Sequence, residues 1–220
     1  MPVFNSVTLV CEESSWLLPY TEVLQKKLWV HGVKAKLVHE YSHIQSGEAA
    51  FFLGCTKICP KELLLRNSYN LVVHESELPK GRGFAPISWT VLGGNNEIVF
   101  SLIEANEKVD TGKIYSQSKI RMAGTELCEE IRELQGFKTV ELCLDFILNG
   151  RIEDARNQAG EATYFRRRTP ADSKLDVHKT IAEQFDLLRI VDNQRYPAYF
   201  NYRGRAYRLK IEYMDDPDDI

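Results

Sequence analysis

The sequence has no CxxC pair and an odd number of cysteines, five in all: Cys11, Cys55, Cys59, Cys128 and Cys143. That pattern excludes a disulfide framework and fits a reduced, cytoplasmic chain. No apolar run approaches the ~20 residues that span a bilayer. Val7–Cys11 is too short, and lacks the basic lead, for a secretory segment, so no membrane partner is expected. Excess charge is also missing: the net charge is −3 and the pI near 6.0. A nucleic-acid partner wants a basic face, so none is expected. Repeats and low-complexity tracts are absent. Of the histidines, His39 and His43 are four apart, but His39 closes a predicted strand. The helical i, i+4 face of a metal pair is therefore missing, as is a carboxylate–His cluster with His31, and no metal is expected.

What is present is ordinary globular material, 44% hydrophobic and 27% charged over 220 residues, enough for one core plus an appendage. Short apolar runs alternate with helical periodicity in the first half, the pattern of an α/β fold with an open, mostly parallel sheet flanked by helices. Strands are expected at Val7–Cys11, Ala35–His39, Ala49–Leu53 and Asn70–Val73, with alternating segments at Ile98–Glu104 and Lys113–Ile120. Helices are expected at Leu17–Val30, from Pro60, and over Thr125–Leu148 with a bend at Gly136. From Arg151 the composition turns charged and loop-like. A domain boundary is therefore placed near Gly150, giving residues 1–150 and a small α+β lobe over 151–220. In that lobe a helix is expected over Thr180–Ile190 and a strand over Arg205–Ile211, then an acidic tail, Asp215–Ile220.

The chemistry concentrates in His74-Glu75-Ser76-Glu77-Leu78-Pro79-Lys80-Gly81-Arg82-Gly83 and, downstream, Asp110-Thr111-Gly112. His74 follows Leu71-Val72-Val73 and should sit at the carboxyl tip of a strand, the edge where open α/β sheets bind ligands. Alone, such a His is more often a hydrogen-bonded structural residue, and an Asp in a turn is more often local turn chemistry. Together they are the minimal parts for a transfer that moves one proton.

The two segments resemble the folate-dependent formyltransferases: a His-x-Ser-x-Leu-Pro-x-x-Arg-Gly run, a Pro and a Trp soon after (Pro86, Trp89), and an Asp-x-Gly loop. The matching stretch runs from about Ala49 to Gln117. The resemblance implies a formyltransferase-type fold with 10-formyltetrahydrofolate as cosubstrate. His74 would act on the oxyanion or relay the proton, and Asp110 would orient it. Leu53, Thr56, Lys57 and Ile58, with Ala105 and Lys108, would line the pterin slot. One departure stands out. Val72 occupies the position where the family usually has Asn, so the oxyanion donor would be a backbone amide or a water, or the site would have a different geometry.

A second resemblance covers Ala162–Pro170, Asp172–Asp176, Leu188-Arg189 and Tyr196–Phe200, which look like the carboxyl-terminal part of formyltransferases acting on nucleotide-linked amino sugars, including the domain acting on UDP-aminoarabinose. It implies substrate contacts from Lys80, Arg82, Gly83, Arg189, Asn193, Tyr196 and Tyr199: arginine forks for phosphate and aromatic faces for a base. Arg166-Arg167-Arg168 would lie on the margin of that site or be a solvated loop. The implied partner is a nucleotide-linked amino sugar, of the UDP-4-amino-4,6-dideoxy type found in pseudaminic-acid-like surface glycan synthesis; a homodimer is allowed. The rivals are a methionyl-tRNA or a glycinamide-ribonucleotide formyltransferase, and a non-catalytic folate- or nucleotide-sugar-binding homologue. A tRNA enzyme would be expected to carry a longer, basic carboxyl-terminal domain.

Overall fold

Period-two alternation along the buried strands gives the main sheet a core on each face. In the computed structural model, which describes residues 2–214, the elements in chain order are β1 (Ser6–Val10), α1 (Leu18–Val30), β2 (Lys34–Val38), β3 (Gly47–Phe52), α2 (Lys61–Leu64) and β4 (Asn67–His74). They continue with β5 (Arg82–Gly83), α3 (Pro86–Leu92), β6 (Glu97–Glu104), β7 (Ile114–Arg121) and α4 (Cys128–Asn149). The remainder holds β8 (Tyr164–Phe165), α5 (Phe185–Arg189), β9 (Ala198–Tyr202) and β10 (Arg205–Leu209).

Six strands form one sheet in the order β2-β1-β3-β4-β6-β7. The first four run parallel, β6 pairs antiparallel with β4, and β7 pairs antiparallel with β6. Leu9, Phe51 and Leu71 point to the larger core under α1 and α4, while Val10, Phe52 and Val72 point to a smaller core near α2. This is the open α/β sheet that the apolar runs predict, with its helix-flanked faces.

Helix α4 is continuous, so the bend expected at Gly136 does not occur. The glycine serves a close approach instead: a Cβ there would lie 2.5 Å from the Tyr20 ring, which also meets Phe137 edge-on. A helix tolerates one glycine at about 1 kcal/mol, and here the missing side chain lets α1 and α4 pack.

Beyond α4 the described residues hold only short pieces. The helix expected over Thr180–Ile190 is a 3-10 turn at Ala182–Gln184 followed by α5. The final strand exists as β10, and β9, which the sequence reading missed, pairs with it antiparallel. Leu175, Leu188, Val191 and Ala198 make a small core beneath this hairpin. The segment is sewn to the loop that follows β4 through β8, which pairs with β5 in the register Arg82–Tyr164 and Gly83–Phe165. The acidic tail Asp215–Ile220 lies outside the described residues.

Candidate functional site

His74 ends β4 with its ring buried and held at two edges. Nε2 lies 2.8 Å from the Gly81 carbonyl oxygen; a carbonyl only accepts, so Nε2 carries the hydrogen. Nδ1 faces Asp110 Oδ2 at 3.5 Å. Asp110 adopts φ 54°, an angle that Asp tolerates better than most residues, and its Oδ2 also accepts the Gly83 N–H at 2.8 Å.

The loop that supplies these backbone groups is clamped by the carboxyl-terminal segment. Gly81 N donates to Thr163 Oγ1, Arg82 N to Thr163 O, and Phe84 N to Phe165 O. Gly83 has φ 104°, and a Cβ there would lie 2.3 Å from the Phe165 carbonyl oxygen, so only glycine fits. Trp89, the aromatic of the motif, stacks on Phe165 and donates its indole N–H to Arg166 O.

A cavity of about 610 Å³ opens around the strand tips, with His74 and Asp110 in its wall. Successive residues of β4 point to opposite sheet faces, so His74 separates two halves. On one side Phe52, Ile58, Val72 and Ala105 form apolar walls beside Thr56 and Lys57, with Leu53 at the boundary to the larger core. On the other side α4 presents Arg132, Gln135 and Thr139, and Trp16, Arg167, Arg168 and Tyr196 complete the lining.

Charges in the second half are unevenly matched. Arg132 is paired with Asp192 at 2.8 Å and with Glu129, and Arg166 forks onto Asp172. Arg166 and Thr169 hold the Asp172 carboxyl well below the usual carboxylate range. Among the described residues, neither Arg167 nor Arg168 has a carboxylate within ion-pair distance. Arg167 lies over the Phe84 ring at 4.5 Å. Arg168 reaches only Ile190 O, Asp172 O and Ser173 Oγ at 3.4–3.5 Å.

Several residues singled out from sequence are not at the cavity. Arg189 is fully buried and committed to Asn96 Oδ1 (2.7 Å), Glu126 Oε2 (3.1 Å) and Asp186 Oδ1 (3.2 Å); it ties α5 to the sheet domain. Asn193 bonds both backbone groups of Ile211 through its amide. Tyr199 sits in β9, its carbonyl accepting the Leu175 N–H. Arg82 turns to Gln158 and to the Tyr164 hydroxyl, while Lys80 and Lys108 are exposed and off the cavity wall. Leu53, Thr56, Lys57, Ile58, Ala105, Gly83 and Tyr196 do line it, alongside His74 and Asp110.

Two residues before His74, Val72 packs against the Phe52 cluster and against Leu78, Ile103 and Ile114, and brings no side-chain donor. Asn70 does not reach forward to substitute, because its Nδ2 donates to Leu64 O at 2.8 Å.

The sequence reading also missed Glu75, Arg132 and Gln135. Glu75 lines the cavity on the α4 side, its Oε1 accepting Gln135 Nε2 at 2.7 Å. Burial pushes its carboxyl up, and neighbouring His74 only partly offsets this. The signal was in plain view as a charged residue directly after a strand-end His, but its partner lies 60 positions away.

Among the described residues no helix is long and apolar enough to cross a membrane. Residues 8–141 match the model of the formyl transferase family. The fold is similar to that of a methionyl-tRNA formyltransferase from Clostridium thermocellum: TM-score 0.79, 20% identity, covering 96% of this chain and 93% of that one. It is also similar to a 4-N formyltransferase from Francisella tularensis, with TM-score 0.66, 15% identity and coverage of 96% and 99%. HypX from Aquifex aeolicus in complex with tetrahydrofolic acid matches at TM-score 0.71 and 13% identity, covering 93% of this chain and 37% of that one.

Proposed function

This chain belongs to the formyl transferase family, and from that premise we propose that it transfers a formyl group from 10-formyltetrahydrofolate to the amine of a nucleotide-linked deoxyamino sugar, with a UDP-4-amino-4,6-dideoxy sugar as the favoured acceptor. The observation that carries the reading is the division of the cavity at His74: one half is apolar, the other polar with two arginines lacking carboxylate partners. A flat heterocycle suits apolar walls with a few backbone bonds. A diphosphate suits arginines not already neutralised.

In this reading Phe52, Leu53, Ile58 and Ala105 hold the pterin, with Thr56 and Lys57 at the rim. When bound, the folate supplies an electrophilic formyl carbon. Asp110, fixed by the Gly83 N–H, faces His74 Nδ1 and orients the ring in the cavity wall. His74 is then placed to keep a proton where charge develops and to hand it to the departing folate nitrogen. The acceptor's phosphates fall to Arg167 and Arg168 and its base to Tyr196, in place of the Arg189 and Asn193 expected from sequence.

Length does not argue against the tRNA alternative, since the Clostridium thermocellum protein is of nearly the same span. The overall charge of −3 still weighs against a polyanionic substrate. A thermal-shift comparison tests the reading. A nucleotide amino sugar at 100 times its Kd should add about 2.7 kcal/mol of stability. Stabilisation by initiator tRNA alone would replace the sugar reading with the tRNA one.

A further inference from the structure

The Proposed function requires an amine to arrive beside His74, and in water a primary amine arrives as an ammonium ion. It must be recognised and stripped of a proton before its nitrogen can attack. His74 is one group for two transfers, and its Nε2 hydrogen is already committed to Gly81 O. Glu75 is the neighbouring acid on the acceptor side.

Three observations converge on it. First, its bond to Gln135 turns Glu75, the residue after β4, toward α4 and the half of the cavity that holds Arg167, Arg168 and Tyr196. Second, its carboxylate has no cationic partner among the described residues. Gln135 fixes one oxygen at 2.7 Å, while the nearby Arg132 is taken by Asp192 and Glu129. Third, one turn further along α4 from Gln135 is Thr139, 2% exposed, whose hydroxyl has no protein partner although it borders the cavity. A carboxylate, an amide and a hydroxyl with no cationic group among them complement a group rich in N–H donors and carrying positive charge.

We infer that Glu75 is the receptor for the acceptor's ammonium group, a specificity-determining and catalytic residue separate from the His74–Asp110 pair. This rests on the amine-acceptor reading above. The ammonium gives its first proton to the Glu75 carboxylate, leaving a neutral carboxyl and a free lone pair on nitrogen. That nitrogen forms the bond to the formyl carbon as the bond between this carbon and N10 of the folate breaks. The second proton shed by the nitrogen passes through His74 to N10, and Glu75 returns its own proton to solvent. The desolvation that raises the Glu75 carboxyl makes it the stronger base for the first step.

The experiment compares wild type with Glu75→Gln, which keeps size and hydrogen bonding but removes the charge. The probes are a UDP-4-amino-4,6-dideoxy sugar and the same compound with hydroxyl in place of the amine. Isothermal titration gives Kd for each, and steady-state kinetics separates kcat from KM. Binding of 5-formyltetrahydrofolate reports that the variant is folded. The expected result is that wild type binds the amine at least tenfold more tightly than the hydroxyl compound. Glu75→Gln should lose that preference, keep the Kd of the hydroxyl compound and of folate within twofold, and fall at least tenfold in kcat/KM. Formylation by wild type with an undiminished amine preference in the variant overturns the role of Glu75 and leaves the Proposed function standing. Failure of wild type to bind either sugar while binding folate overturns both.

Discussion

Gly83 and Asp110 are joined by a 2.8 Å hydrogen bond from the glycine amide to the carboxylate oxygen that faces the His74 ring. The loop after the histidine therefore sets the orientation of the acid that orients the histidine. Since β8 clamps that loop, residues 163–165 belong to the geometry of the site as much as the strand tips do. His74→Asn or Asp110→Asn should lower kcat by at least ~10² while leaving Kd for the nucleotide sugar within a few-fold. These groups act on charge that develops in the transition state. Turnover and titration on each variant check this, and a variant retaining half its activity would remove the pair from the mechanism.

Val72 offers no hydrogen-bond donor, so whatever stabilises the developing oxyanion comes from elsewhere. If that role is already filled, Val72→Asn should change kcat by less than about tenfold. A much larger gain would show that the native site is deficient, and would favour the non-catalytic homologue.

The arginines should separate cleanly. A charge-assisted bond to phosphate is typically worth ~1.5–3 kcal/mol, so Arg168→Ala should raise the nucleotide-sugar Kd roughly tenfold with folate affinity unchanged. Arg189→Ala should instead cost about 3–5 kcal/mol of stability, because it strands Glu126 and Asp186 beside a buried gap. The fraction still folded should bind ligand normally. Denaturant melts and titrations on the two variants distinguish the roles.

The pH dependence of stability follows from Glu75. Its folded-state carboxyl is raised, with burial the main cause, and the groups facing it are His74 and Asp110 beside the sheet and the neutral Gln135 on α4. A raised acid binds its proton more tightly in the folded state. Its contribution is therefore full below the unfolded value of about 4.3 and is lost as pH rises through the folded value. Glu75→Gln escapes that loss, so its Tm relative to wild type should climb as pH rises above the unfolded value of about 4.3. A flat or falling difference would contradict the burial of the charge.

Local signals were legible in the sequence, and distant ones were not. The strand that delivers His74 could be read from Leu71-Val72-Val73, and the Asp110 turn from its flanking alternation, because both depend on neighbours in the chain. Arg189 and Arg168 look alike as charges in a polar stretch. Only the fold reveals that Asn96 and Glu126, more than sixty positions away, have claimed the first and left the second open. Gly136 read as a bend for the same reason, since the Tyr20 ring that occupies its missing side chain comes from another helix. Strand β9 escaped notice because Tyr196-Pro197 marked a loop, and its pairing with β10 is what makes it a strand.

The most direct measurement is turnover itself: the purified chain with 10-formyltetrahydrofolate and a panel of UDP- and dTDP-linked amino sugars, products read by mass spectrometry. The expected result is an acceptor heavier by one formyl group, matched mole for mole by tetrahydrofolate and absent with His74→Asn. Formylation of methionyl-tRNA with every sugar untouched, or no transfer to any amine, would contradict it.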